Sequence, residues 1–184
     1  MRKIILDLAV SLDGFIEGPS GEVDWCIMDE EMNFDGFLSG IDTIFYGRKS
    51  YDQWGNYQPP ANADTSEKDF WRNIHSRKKY VFTNNPGAVS GAACIGGNVE
   101  KEVLSLKRQE GKDIWLYGGA SLIKTFIDLN LIDVYRLSVH PVALGKGKPL
   151  FENLSARLNL QLESVKQFSS GVVQLVYYFC SYEY

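Results

Sequence analysis

The sequence predicts an α/β fold, with a mostly parallel central sheet, helices on both faces and an antiparallel hairpin at the C-terminal end. Three observations predict it. Through residue 140, short apolar runs typical of buried strands alternate with helical patterns. Two of these runs, 41–46 and 114–117, are followed by glycine and then by a helix. Near the end of the chain, apolar and polar residues alternate at 158–163 and 173–179 around a Ser-Ser-Gly turn, which predicts the hairpin.

Composition indicates one domain, spanning residues 1–184, with a substantial core. Of the 184 residues 45% are hydrophobic, and the formal net charge is −4. Scattered Lys and Arg residues argue against a nucleic-acid partner. Three distant cysteines and two histidines argue against a disulfide framework or a zinc site, so no metal is expected. No apolar run has the length of a membrane span, and the first residues are too short and too charged for a secretion signal, so the cytoplasm is the expected compartment.

The N-terminal part predicts a strand, a loop and a helix. Residues 3–10 are a central strand. The glycine-rich loop that follows, up to Trp25, is either a lid over a ligand or a pair of surface turns. Residues 29–38 form a helix whose first turn carries three acidic side chains that suit the helix dipole, namely Asp29, Glu30 and Glu31.

The later elements continue the alternation. Strands are predicted at residues 41–46, 79–83, 92–95, 114–117 and 132–139. Helices are predicted to start at Arg48, near Ser66, after the capping residue Asn98 and after the Gly118-Gly119 pair.

The Gly118-Gly119 turn is a candidate phosphate site. A helix that begins after glycines offers free backbone N–H groups and the positive end of its dipole, and a ligand can approach a backbone without side chains. The alternative is a plain turn in which glycine supplies an unusual backbone angle.

The turn at Gly47 is followed by Arg48 and Lys49, which are unfavourable at a helix start unless an anion lies between them. Otherwise they are solvated surface cations.

Ligand-type residues follow three strands, at 11–14, 47–50 and 118–121. In an open α/β sheet, ligands bind outside the carboxyl ends of the strands. Two phosphate-suited turns, one of them with two cations, suggest a dinucleotide that carries an extra phosphate. NADPH fits this description, with its 2′-phosphate facing Arg48 and Lys49. No G-x-G-x-x-G follows the first strand, so a Rossmann domain is not expected.

Three motifs in this order resemble the dihydrofolate reductase superfamily. They are residues 9–14 (Ala-Val-Ser-Leu-Asp-Gly), 46–51 (Tyr-Gly-Arg-Lys-Ser-Tyr) and 117–120 (Tyr-Gly-Gly-Ala). The match covers nearly the whole chain and is closest to the branch that contains the reductase (RibD C-terminal) domain of bacterial riboflavin biosynthesis. The resemblance implies a three-layer dihydrofolate-reductase-like fold, NADPH-dependent hydride transfer to a small nitrogen heterocycle, and a homodimer.

The resemblance also implies the cofactor site. Its residues would hold the 2′-phosphate and pyrophosphate, flank the adenosine or cover the nicotinamide, and are Ala9, Val10, Ile16, Gly47, Arg48, Lys49, Ser50, Thr83, Asn84, Tyr117, Gly118, Gly119, Ala120, Ser121 and Leu122. In the folate enzymes the glycine pair is joined by a cis peptide bond.

At the substrate end, the resemblance places a proton-relaying carboxylate at Glu30 or the adjacent Asp29. Ser138 would support that carboxylate with its hydroxyl. Phe34 would pack on the substrate, and Trp25 would lie beside the nicotinamide. A buried acid next to a heterocycle can have a raised pKa and pass a proton to a ring nitrogen.

Two positions depart from the riboflavin branch. Phe15 stands where a basic residue usually follows Asp-Gly, and Tyr117 stands where Glu usually precedes Gly-Gly. Both departures speak against a phosphoribosylaminouracil substrate. Two other interpretations stay open: a nucleotide-binding or sensing module without turnover, and a purely structural α/β domain.

Overall fold

The computed structural model describes residues 1–180 and contains ten strands in this part of the chain. In chain order they are β1 (Ile4–Ser11), β2 (Phe15–Glu17), β3 (Ile41–Gly47), β4 (Lys78–Phe82), β5 (Ala93–Ile95), β6 (Asp113–Gly118), β7 (Val134–His140), β8 (Lys148–Pro149), β9 (Leu160–Gln167) and β10 (Val173–Phe179). The α-helices are α1 (Phe34–Ser39), α2 (Arg48–Ser50), α3 (Thr65–His75), α4 (Val99–Arg108) and α5 (Ala120–Asp128).

Eight strands form one sheet in the order β5-β4-β3-β6-β1-β7-β10-β9, and β2 pairs with β8 in a small second sheet. The first six strands of that order are parallel, whereas β10 runs antiparallel to both β7 and β9. The predicted fold class and C-terminal hairpin are therefore confirmed. Strand β1 lies between β6 and β7, and β3 lies next to β6. Because these strands are parallel, their carboxyl ends lie side by side at the same end of the sheet.

Helices cover both faces of the sheet because each face carries its own apolar cluster. On one face Phe126 and Ile127 of α5 and Val103 and Leu106 of α4 pack against strand residues such as Leu116. The opposite face packs against α1 and α3, with a core formed by Leu38, Ile41, Ile44, Tyr46, Tyr51, Trp71, Ile74, Val81 and Trp115.

The helix predicted at 29–38 is interrupted. A 3₁₀ turn, Glu30–Met32, is capped by Asp29, and α1 begins only after Asn33. Asn33 has a φ of 48°, in the left-handed region that asparagine tolerates better than most residues, and its side chain accepts the N–H of Gly36. This break decides which way the acidic side chains before it point.

The helix predicted from Arg48 to Trp54 is likewise irregular, because α2 passes directly into a π-helical turn, Tyr51–Gly55. Among the residues described, no helix is long and apolar enough to cross a membrane.

Candidate active site

A cleft of about 1450 Å³ crosses the carboxyl ends of the parallel strands. This volume exceeds that of an ordinary small-molecule pocket of up to about 1,000 Å³, so it has room for a dinucleotide and a second ligand. The cleft has two halves with different chemistry. One half contains the glycine turns and the cations, and the other is walled by aromatic side chains.

The two glycine turns touch each other at the backbone. Strands β3 and β6 are neighbours, with Tyr46 in register with Gly118. A Cβ atom on Gly47 would lie 3.2 Å from the backbone nitrogen of Gly119 and 3.4 Å from the carbonyl oxygen of Gly118. Gly118 has a φ of +115°, which L side chains rarely adopt, and its peptide bond to Gly119 is cis, as the resemblance implies. Glycine is therefore required here by close approach and by backbone angle.

Helix α5 begins at this contact. Its capping residue, Gly119, offers no side-chain hydrogen bond, so the first N–H groups of the helix are left for another acceptor. Ser121 and Leu122 in this first turn line the cleft. A Cβ on Gly119 would lie 3.0 Å from Oγ of Ser50, which shows how closely the second turn approaches the helix start.

The cations beside Gly47 are placed differently. Arg48 donates from Nε to Asp52 at 2.7 Å and is partly exposed, whereas Lys49 is exposed and lines the cleft. Asp52 is thus the anion beside Arg48 within the protein, and it accepts a hydrogen bond only from the Nε atom of Arg48. The terminal nitrogens of Arg48 have no acceptor among the described residues, so they can meet a second anion.

The glycine-rich loop after β1 is fastened across the mouth of the cleft. Its strand β2, which contains Ile16, pairs with β8. Asp13 accepts hydrogen bonds from Ser11 Oγ at 2.6 Å and from the N–H groups of Leu144 and Gly145 at 3.0 and 2.7 Å. These donors, the Ser11 hydroxyl first, lower the pKa of Asp13 to about 2. The segment is therefore a covering loop with a small hairpin pairing, which combines both predicted alternatives.

Aromatic rings form the other half of the cleft. Trp54 stacks on Tyr117 with centroids 4.5 Å apart. Phe34 meets Trp115 edge-on at 5.5 Å and lies 6.1 Å from Phe70. All five rings line the cleft. Such a wall favours a flat, apolar ring as ligand.

The two predicted carboxylates have different positions. Glu30 is exposed and is not among the residues that line the cleft, so this structure does not bring it beside the aromatic rings. The left-handed break at Asn33 separates its turn from α1 and turns it outward. Asp29 does line the cleft, but one of its oxygens caps the 3₁₀ turn by accepting the N–H of Glu31 at 2.8 Å. The neighbouring Ser170, and then that N–H, hold the pKa of Asp29 below its usual range, and Oδ2 of Asp29 is buried with no hydrogen-bond partner among the described residues.

Three further predicted positions lie off the cleft wall. Val10 is buried in the core on the opposite side of β1 from Ala9, because side chains alternate along a strand. Trp25 donates its indole N–H to the carbonyl of Glu22 and does not reach the wall. Gly118 forms the turn through its positive φ and its cis bond to Gly119, but it does not line the cleft. The remaining predicted residues line the cleft, namely Ala9, Ile16, Asp29, Phe34, Gly47, Arg48, Lys49, Ser50, Thr83, Asn84, Tyr117, Gly119, Ala120, Ser121, Leu122 and Ser138.

The hydroxyl of Ser138 makes no hydrogen bond to either predicted carboxylate among the described residues. Its hydroxyl is buried and accepts from Gln174 Nε2 at 3.4 Å, a long contact across to β10.

Sequence reasoning missed an ion pair on the floor of the cleft. Asp7 of β1 accepts from Arg136 Nη1 of β7 at 2.7 Å, and both residues line the cleft. Burial raises the pKa of Asp7 to about 6, although the guanidinium of Arg136 opposes the rise. The available signal was a charged residue inside each of two apolar strands, at positions that are now seen to be in register.

His140, at the end of β7, was also missed. It is buried and lines the cleft, and its Nδ1 accepts the backbone N–H of Ile27 at 3.1 Å. Burial lowers the pKa of His140. Trp25 meets the imidazole edge-on at 5.5 Å. The histidine therefore fastens the far end of the covering loop to the sheet.

Comparison with known proteins gives a consistent relationship. The model of the RibD C-terminal domain matches residues 2–174. Protein YyaP of Bacillus subtilis (strain 168) is 58% identical over 178 residues, covering 96% of this chain and 95% of YyaP. YwjB of the same organism is 33% identical, covering 93% of this chain and 95% of YwjB.

Two solved structures share the fold. Form 2 of Acinetobacter baumannii RibD has a TM-score of 0.70 at 18% identity, covering 98% of this chain and 58% of that one. Dihydrofolate reductase from Enterococcus faecalis, complexed with NADP(H), has a TM-score of 0.67 at 14% identity, covering 96% of both chains.

Proposed function

Because the chain belongs to the RibD C-terminal domain family, we propose that it is an NADPH-dependent reductase that transfers hydride to a small nitrogen heterocycle. One observation carries the proposal. A single cleft joins a phosphate-suited half, built from the two touching glycine turns, to an aromatic half that suits a flat ring. The name of the Enterococcus faecalis structure, a dihydrofolate reductase complexed with NADP(H), supports the choice of cofactor.

The residues of the first half fit NADPH. A side chain on Gly47 or Gly119 would fill the backbone cradle, and the uncapped start of α5 offers N–H donors to a pyrophosphate. The free guanidinium nitrogens of Arg48, with Lys49 beside them, suit the 2′-phosphate. Thr83 and Asn84, directly after β4, would flank the adenosine.

Bound NADPH would supply the hydride. The protein's own contribution is to orient two flat rings against each other and to exclude water from between them. Ile16 of the covering loop and Ala9 of β1 line the cleft, and Asp13 and His140 hold that loop at its two ends.

A binding module without turnover would need only the glycine turns and Arg48. The aromatic rings, among which Phe34 contacts both Trp115 and Phe70, pack against the core of this face, but they also line the cleft, where such a module would not need a binding surface for a flat ring. The reductase is therefore the better account of the whole cleft.

The test is a titration of the purified protein with NADPH and with NADH, followed by quenching of tryptophan fluorescence. Trp54 and Trp115 line the cleft, so a bound nicotinamide should quench them. We expect clear saturation by NADPH and weaker binding of NADH. Absence of binding by both dinucleotides would refute the reductase.

A further inference from the structure

The ion pair between Asp7 and Arg136 lies where a second ligand would sit. The two residues are in register on adjacent parallel strands, and their side chains are only 9% and 15% exposed. Trp115 donates its indole N–H to the backbone carbonyl of Asp7, and the Phe37 ring lies 4.8 Å from the guanidinium carbon of Arg136. The pair thus forms the floor beneath the aromatic wall.

The fold gives no reason for this pair. A buried ion pair is weak evidence for stability, since apolar residues of similar volume often stabilise a core as well or better. The strand neighbours of Asp7, Leu6 and Leu8, are apolar. Two charges inside the central strands of a sheet are instead the kind of local conflict expected at a functional site.

The pair also has unused hydrogen-bonding capacity. In the described chain, the side chain of Asp7 accepts only from Nη1 of Arg136, through Oδ1. No hydrogen bond to the other oxygen, Oδ2, is found among the described residues, and the Asp7 side chain lines the cleft. Arg136 makes one more contact, a long one of 3.3 Å from Nη2 to the carbonyl of Met32, and a guanidinium has five N–H donors.

The charge of this half restricts what can bind. Arg136 is neutralised by Asp7, and Lys148 is paired with Glu152. In the phosphate-suited half, Arg48 keeps its terminal nitrogens free beside Asp52, and Lys49 has no ion-pair partner among the described residues. The charge of the aromatic half therefore depends on the protonation state of Asp7, since a protonated Asp7 leaves Arg136 as an uncompensated cation.

We propose that Asp7 and Arg136 together recognise and protonate the substrate, which is a planar heterocycle with an imine nitrogen and a carbonyl oxygen along one edge. This inference rests on the proposed reductase function. Arg136 donates to the carbonyl oxygen, and Asp7, as the carboxylic acid, donates to the imine nitrogen. The edge with two acceptors thus meets two donors.

The reaction balances with the dihydronicotinamide of NADPH as reductant. Hydride forms a new C–H bond at the imine carbon, the C=N π pair moves to nitrogen, and nitrogen takes the proton of Asp7. The products are the saturated C–N bond, the oxidised nicotinamide and the carboxylate of Asp7, which Arg136 stabilises. Water from the cleft then returns a proton to Asp7. Asp29 is less suited to this step because it is held ionised as a cap.

The test uses pterin (2-amino-4-oxopteridine), which presents a ring nitrogen and a carbonyl oxygen on one edge, and 2,4-diaminopteridine, in which an amino group replaces the carbonyl. Binding is followed by calorimetry, and the wild-type protein should bind pterin at least tenfold more tightly. Asp7→Ala and Arg136→Met should each weaken pterin binding at least tenfold. Asp7→Asn, which keeps a donor, should retain it within about threefold but slow single-turnover reduction of 7,8-dihydropterin at least a hundredfold.

Matched controls come from an exposed ion pair, Asp69 with Arg72 on α3. Asp69→Asn and Arg72→Met should leave pterin binding unchanged, and circular dichroism checks the fold of every variant. Should Asp7→Ala or Arg136→Met fail to fold, Asp7→Asn and Arg136→Lys decide the matter, with Arg136→Lys expected to weaken pterin binding.

Measuring NADPH affinity distinguishes a failure of the role proposed for Asp7 and Arg136 from a failure of the reductase function. If NADPH binds but pterin does not, or if the floor variants leave pterin binding and reduction intact, the role of the pair is overturned and the reductase proposal stands. If NADPH does not bind, the proposed function itself fails.

Discussion

Asp7 should make this protein less stable at neutral pH than in mild acid, opposite to the usual effect of a paired carboxylate. Burial raises the pKa of Asp7 from 3.8 to about 6. At about 1.36 kcal/mol per pKa unit, this rise corresponds to about 3 kcal/mol. The side chain is 9% exposed, so solvent screening reduces the figure little.

The sign follows from proton binding. The folded state holds the proton of Asp7 more tightly than the unfolded state does. The stabilisation is fully present below pH 3.8 and is lost as pH rises through about 6. Arg136 lowers the pKa of Asp7, so Arg136→Met should move the upper limit of this window to higher pH.

The assay is urea unfolding of the wild type and of Asp7→Asn at intervals between pH 4 and pH 7.5. Asparagine cannot titrate, so the difference between the two curves isolates the contribution of Asp7 from that of the other carboxylates. The wild type should lose about 2.4 kcal/mol relative to the variant between pH 4 and pH 7.5, because part of the stabilisation is already lost at pH 4. Parallel curves, within about 0.5 kcal/mol, would show that Asp7 is not desolvated and would refute the reasoning.

Three further outcomes are expected. Arg48→Ala should weaken NADPH about tenfold more than NADH, because a charge-assisted contact with a partly exposed guanidinium contributes about 1.4 kcal/mol; equal losses would remove its role at the 2′-phosphate. Gly119→Val should abolish dinucleotide binding, since its Cβ would already lie 3.0 Å from Ser50 Oγ, whereas Gly87→Ala, with nothing within 4 Å of its Cβ, should not. Burial lowers the pKa of His140, so the imidazole becomes protonated only below pH 6.5 and then can no longer accept the N–H of Ile27; the protection factor of that amide, which is its exchange rate corrected for the intrinsic pH dependence, should therefore fall in acid, and a protection factor that stays constant would contradict the anchor.

Local patterns in the sequence predicted most of the fold. Hydrophobic periodicity and strand-ending glycines place the strands around Gly47 and Gly118 to within a residue or two, and alternation places the hairpin of β9 and β10. The predicted helix over 29–38 was wrong in its continuity. Its apolar and acidic pattern is compatible with a helix, but Asn33 takes a left-handed conformation in which its backbone N–H donates to Glu30 and its side chain accepts from Gly36.

The cofactor half could be predicted from the sequence because each turn has its own local pattern. One is a glycine pair, and the other is a glycine followed by two cations. The floor of the substrate half was not accessible, because its signal is shared between distant strands. Asp7 and Arg136 are 129 residues apart, and each alone is one charge in an apolar run.

The sequence by itself determined the element types, the hairpin and the two glycine turns, since these depend on neighbours within a few residues. The tertiary structure alone decided which carboxylates face the cleft. Strand order places β1 beside β7 and so brings Asp7 against Arg136, while the turn before α1 directs Glu30 into solvent. The sequence names each charged side chain, but the burial of that side chain and its ion-pair partner depend on which strands become neighbours in the sheet.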